Sequence, residues 1–197
     1  MAHHLYHTRG FIAGGLPTGE ASRLIFCFTD LLGFIPARAQ GVRQEPSKLR
    51  HHLSPYGRGA YTLVRGREVW RLIGAETEAP VETLAQPPRL IFHRLLNLVI
   101  RFAPREEAIP ALFSLLDQFW RTFSVDSHRE TDYDAGDWYR CELYVVARLL
   151  ATLGYVPLSS PIADVSFTWS KSKSKIIGQV ESTLLRSVND ALTHSHL

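Results

Sequence analysis

Upstream of residue 80 the apolar residues come in short runs cut by turn residues, whereas from Arg89 onward they recur at helical spacing. A run of four to eight apolar or β-branched residues bounded by Gly, Pro or Asp reads as a strand. Polar residues returning every fourth position read as one face of a helix. One regular architecture does not accommodate both patterns, so the chain reads as α+β, with a β module followed by a helical one.

The first strand spans residues 5–14 and enters a turn at Gly14-Gly15-Leu16-Pro17-Thr18-Gly19. Ser22 to Thr29 forms a second run, and Phe34 to Gln40 a third after Asp30-Leu31-Leu32-Gly33. Tyr61–Val64 and Val69–Ile73 flank Arg65-Gly66-Arg67-Glu68, a hairpin signal with Gly inside the turn. Five such strands predict a small closed or half-closed β-barrel. Glu76 to Glu82, with Pro80, reads as a polar linker, so the expected division is 1–78 and 79–197.

In the second part, polar residues at 89, 93, 97, 101 and 105 stripe a helix from Arg89 to Arg105, which Pro104 ends. Helices are also expected over Ile109–Phe123, Trp138–Leu153 (closed by Gly154) and Ile176–Leu192. Leu90 to Ala103 is the longest apolar candidate, but it holds His93, Arg94, Asn97 and Arg101 and falls short of the roughly 20 residues a bilayer span needs. No membrane association and no signal peptide are expected, and the cytoplasm is the default location.

Charge is distributed unevenly. Between Arg38 and Arg71 there are eight Lys or Arg and two acids, a formal +6, while the whole chain carries +3. Everything outside that window therefore sums to −3. The densest part is Gly41 to Leu53, with Arg43, Lys48, Arg50 and two histidines between the loop punctuators Gly41 and Pro46. Read functionally, Arg38, Arg43, Lys48, Arg50, Arg65 and Arg67 line a groove that follows a phosphate backbone, and Phe34, Tyr56, Tyr61 or Trp70 stack on bases. Read structurally, the same window is a solvated basic face and the aromatics fill the barrel. The stripe on the first helix has the same two readings: the solvent face of a core helix, or a receptor for an acidic, hydrophobic peptide tail.

Catalytic chemistry finds little support. Glu130, Asp132, Asp134 and Asp137 lack the Gly and the bidentate Glu of a calcium loop, and suit the start of the following helix instead. Asp126, Ser127 and His128 are adjacent but have no nucleophile elbow. His51-His52 and His194-x-His196 lack companion ligands, and Cys27 and Cys141, the only cysteines, read as buried free thiols. No enzyme activity, metal or cofactor is expected.

The order of motifs resembles the bacterial recombination mediator family RecO. Thr8-Arg9-Gly10-Phe11-Ile12, Gly19-Glu20-Ala21-Ser22-Arg23-Leu24 and Phe28-Thr29-x-x-x-Gly33 look like the family's opening. Gly41-Val42-Arg43-x-x-x-Ser47-Lys48-Leu49-Arg50-x-x-Leu53-x-Pro55 is similar to its basic loop, and Leu63-x-x-Gly66-Arg67, Ala75-Glu76, Glu142-Leu143 and Leu153-Gly154-Tyr155 continue the match. The resemblance implies an N-terminal five-stranded OB-fold barrel followed by an all-helical domain. It implies binding to single- and double-stranded DNA, strand annealing, and recombinase loading on DNA coated by single-strand-binding protein. The implied partners are the acidic C-terminal tail of that protein and the mediator RecR; with the cations of the first helix counted in, the candidates to hold such a tail are Arg89, Arg94, Arg101, Arg140 and Arg148. Either Arg140 or Arg148 matches the family's tail-binding arginine. Many members carry a four-cysteine zinc module, which this chain's two cysteines cannot supply. A reading of another class is an adaptor whose OB module no longer binds nucleic acid and which only docks protein partners.

Overall fold

The structure is a computed structural model that describes residues 4–44, 47–124, 132–157, 159, 162–164 and 166–194. Two compact units share the chain: residues 1–83 with 96–113, and residues 84–95 with 114–197. The compact units cross the 78/79 boundary because the second half of the first long helix and the segment after it pack with the strands.

Five strands make up the first unit: β1 (Leu5–Thr18), β2 (Ser22–Thr29), β3 (Gly33–Ala39), β4 (Arg58–Arg65) and β5 (Trp70–Ala79). They close into a barrel in the order β1-β2-β3-β5-β4, with β4 returning to β1. Every pairing is antiparallel except β3 with β5. This is the OB-like, five-stranded Greek-key arrangement. Alternate residues Ile25, Cys27, Ile35, Ala37, Leu63, Trp70 and Leu72 turn inward to form the core.

Two strands run further than their composition suggests. β1 continues through the expected turn at 14–19, because a register shift between Ile12 and Gly14 lets its second half pair with β2 after its first half has paired with β4. β5 continues through the expected linker to Ala79, where Glu76 lies opposite Ala60 and Thr77 opposite Gly59. Glu78 ion-pairs with Arg58 at 2.8 Å and Arg9 at 3.5 Å. The acids that look like a linker are thus the outward face of a paired strand.

The remainder of this unit caps one side of the barrel. The Glu106 amide donates to the Phe34 carbonyl at 3.0 Å, and Phe113 packs against Phe11 and Phe28 with ring centroids 5.8 and 6.1 Å apart.

Among the described residues four α-helices follow the barrel: α1 (Pro88–Phe102), α2 (Pro110–Phe123), α3 (Ala135–Thr152) and α4 (Lys171–His194). In the second unit Phe92 stacks with Phe119 at 6.0 Å and meets Trp120 edge-on at 5.0 Å. Tyr144 on α3 lies between Phe167 and Trp169, each 6.0 Å away. The acidic stretch before α3 supplies a capping box. Asp134 is the N-cap and accepts from the Asp137 amide at 2.8 Å, while Asp137 accepts from the Asp134 amide at 3.2 Å. Residues 125–131, including Asp126, Ser127, His128 and Glu130, lie outside the described residues.

Asp137 also ties α4 to α3, accepting from Lys171 Nζ at 2.6 Å and Ser174 Oγ at 2.5 Å while only 6% exposed. Those donors, Lys171 first, hold its carboxyl down at about 2. Asp137→Ala strands the buried Ser174 hydroxyl and half of the capping box, so a loss of about 2 kcal/mol is expected. The folded carboxyl is more acidic than the unfolded one at about 3.9, so this stabilisation is present above about pH 4 and is lost as pH falls toward 2. Melts of both proteins over that range check it: the difference between them should shrink as acid is added.

Candidate nucleic-acid interface

The basic segment between β3 and β4 is fixed at both ends by apolar residues. Val42 and Leu53, each 2% exposed, belong to the barrel core, and Leu49 packs partly against it. Between them the chain forms a 3-10 turn, Lys48–His52. With 49 and 53 turned inward, Lys48, Arg50 and His51 are left exposed, as is Arg43. His52 turns toward β5, where its Nδ1 accepts the Thr77 amide at 3.2 Å. The Arg43 amide donates to the Ala21 carbonyl at 3.0 Å and its Nη1 to the Gly19 carbonyl at 3.2 Å, which docks the segment on the β1–β2 turn. The cations point out because the hydrophobic residues beside them have a barrel to fill.

Arg43 and Arg50 line one open cleft of about 460 Å³ together with Arg23, Pro17 and Val42. Lys48 opens the 3-10 turn that carries Arg50. Arg38 is exposed on β3, opposite Arg71 on β5. Arg67 is exposed in the β4–β5 hairpin. Arg65 stands apart: it ion-pairs with Glu106 and covers the Trp70 ring at 5.1 Å. Among the described residues, no carboxylate lies within ion-pair distance of Arg23, Arg38, Arg43, Lys48, Arg50, Arg67 or Arg71.

Arg23 and Arg71 are not among the six cations that the sequence assigns to the groove. The register of β2 on β3, which sets Arg23 opposite Ala39, is what brings Arg23 to the basic loop. Arg71 was visible as the polar residue between Leu72 and Trp70, but its neighbour on β3 was not. Of the aromatics suited to stacking on bases, Phe34, Tyr61 and Trp70 are 3%, 3% and 5% exposed and serve the fold. Tyr56 is half-buried.

The family model described as "Recombination protein O N terminal" matches residues 1–81. A DNA repair protein RecO of Dehalococcoides mccartyi is 30% identical over 157 residues, 78% of this chain and 58% of the relative. One from Heliobacterium modesticaldum is 30% identical over 165 residues, 81% of this chain and 55% of the relative. A third, from Gloeothece citriformis, is 30% identical over 130 residues, 65% of this chain and 46% of the relative. The chain belongs to the RecO family. It spans about half the length of the curated relatives it matches.

The five arginines expected to serve an acidic partner are divided between the two units. Arg101, in the first unit, lies over the Phe102 ring at 5.0 Å. The other four belong to the second unit. Arg89 donates twice to the Leu84 carbonyl, at 3.0 and 3.1 Å. Arg94 grips both oxygens of Glu142 at 2.7 Å, and Arg140 meets Glu181 at 3.1 Å. Arg148 is 9% exposed and donates to the Asp164 carbonyl at 2.6 Å and Tyr144 Oη at 3.3 Å. Lys173 ion-pairs with the Asp164 carboxylate, holding its carboxyl below the usual range.

Both cysteines are buried free thiols, and burial pushes Cys27 up to about 12. A thiol so placed stays protonated and is a poor nucleophile. Among the described residues no three His, Cys, Asp or Glu are grouped to hold a metal, and no helix is long and apolar enough to cross a membrane.

Proposed function

We propose that this RecO-family chain is a non-enzymatic DNA-binding mediator of recombinational repair, acting in the cytoplasm at the nucleoid. It binds single- and double-stranded DNA, promotes annealing of complementary strands, and assists recombinase loading on DNA coated by single-strand-binding protein. The observation that carries this is the cation set around the basic segment. Arg43, Lys48 and Arg50 are held outward by Val42 and Leu53 in the core, Arg23 of β2 lines the same cleft, and no described carboxylate neutralises any of the four. A polyanion supplies the missing charge, and released counterions drive the binding. Arg38 and Arg67 extend the path, and Arg65 joins it by exchanging Glu106 for phosphate.

The acidic tail of single-strand-binding protein and the mediator RecR complete the proposal as protein partners. In the second unit, the cations that suit such a tail are Arg94, whose side chain is 61% exposed, and Arg140, at 34%. Each already holds a carboxylate, Glu142 or Glu181, in the geometry an incoming carboxylate would take. Arg148 is buried and serves the fold.

Anisotropy titration of a labelled single-stranded oligonucleotide at several salt concentrations tests the DNA reading. If about five phosphates are neutralised, the slope of log affinity against log salt is expected near −3.5. A flat response counts against a phosphate-tracking interface.

A further inference from the structure

The seam between β3 and β5 is the barrel's shortest. The strands register only at Ala37–Trp70 and Arg38–Arg71, while every other seam registers over at least seven residues. Ala37 and Trp70 face the core, so Arg38 and Arg71, one residue further on, both face outward and are exposed. Like charges directly opposite each other on neighbouring strands destabilise the pairing. Among the described residues, the only group that answers either guanidinium is neutral: Gln40 Oε1 accepts from Arg71 Nη2 at 2.8 Å.

Their lateral neighbours cannot help. Leu24 lies opposite Arg38 on β2, and Val64 opposite Arg71 on β4. Three other arginines of the same barrel do find acids, with Glu78 serving Arg9 and Arg58 and Glu106 serving Arg65. Two arginines with no acid among the described residues, set across the shortest seam, leave a place for an external anion.

We infer that Arg38 and Arg71 form a phosphate clamp that bridges β3 and β5. One phosphate group accepts from both guanidinium forks, replaces the missing carboxylate and joins two strands that few backbone bonds hold together. Its occupancy stabilises the barrel by linkage. The source of the phosphate, a nucleic-acid backbone, rests on the reading above. The clamp itself does not, since a free pyrophosphate presents the same oxygens.

The test uses the full chain, Arg38→Gln, Arg71→Gln and, as a control on α4, Arg186→Gln. Each is melted in sodium pyrophosphate and in sodium chloride of equal ionic strength, and titrated with an oligonucleotide. Without phosphate, the two clamp variants should melt no lower than the parent, because a repulsion has been removed. Pyrophosphate should raise the melting temperature of the parent and of Arg186→Gln but not of the clamp variants. Oligonucleotide affinity of the clamp variants should fall by about tenfold, the scale of one lost charge-assisted contact. An equal pyrophosphate response in all four proteins overturns the clamp. If pyrophosphate discriminates them but no protein binds the oligonucleotide, the clamp stands as a free-phosphate site and the DNA reading falls. If the parent binds the oligonucleotide and the clamp variants bind it equally well, the DNA reading survives and the clamp's place in it is overturned.

Discussion

Replacing Arg43, Lys48 and Arg50 together by Glu is expected to abolish oligonucleotide binding while leaving the barrel folded. All three side chains are exposed, and the residues that fix the segment, Val42 and Leu53, are untouched. The structural loss is confined to the hydrogen bond from Arg43 Nη1 to the Gly19 carbonyl, at about 1 kcal/mol. Binding suffers far more, because three phosphate contacts vanish and three repulsions replace them. At about 50 mM salt an affinity drop of at least roughly 100-fold is expected, since each phosphate contact carries its own share of counterion release. Circular dichroism and a thermal melt establish that the variant folds, and anisotropy reads the affinity. An unchanged affinity in a folded variant removes the basic segment from the interface. The single substitution Arg23→Glu should act in the same direction with a smaller effect, because Arg23 shares the cleft with Arg43 and Arg50.

The parts of the fold visible in the sequence are those set by local pattern. Strand runs, the Gly66 hairpin and the switch to a helical period all reappear, as do helices within a few residues of their expected ends. Local pattern also placed the cations of the loop, because charged groups beside buried Val42 and Leu53 must face water. What stayed hidden depends on register between segments far apart in the chain. Arg38 and Arg71 are 33 positions apart and meet only because β3 and β5 run parallel. The neutralisation of Arg65 by Glu106, and of Arg58 by Glu78, is hidden for the same reason. A window summed to +6 by counting therefore holds fewer available cations than the sum implies. The reverse error occurred at Glu76–Ala79, where acids on an exposed strand face carry the composition of a linker. In the second unit, helical spacing could not announce that Glu142 already occupies Arg94, or the Leu84 carbonyl Arg89.

A second large effect is expected from one methyl group: Gly33→Ala should destabilise the barrel by more than about 3 kcal/mol. Gly33 opens β3 with φ of 69°, and a Cβ there would lie 1.8 Å from the carbonyl oxygen of Glu107. The obstacle is backbone, which no rotamer change can move aside. Relief requires shifting either the start of β3 or the segment whose Glu106 amide bonds to Phe34. Gly19 supplies the control. Its φ is 60°, nearly the same, but a Cβ there meets nothing within 4 Å. Gly19→Ala therefore incurs only the left-handed backbone cost, about 1 kcal/mol. For a unit of this size the melting temperature should fall by more than about 12 °C in the first variant and by roughly 4–8 °C in the second. Equal shifts would mean that backbone conformation alone decides both positions, and that the segment around Glu107 yields more easily than its hydrogen bond to β3 suggests. The larger shift at Gly33 would establish that the chain after α1 is part of what holds β3, and with it Arg38, in place.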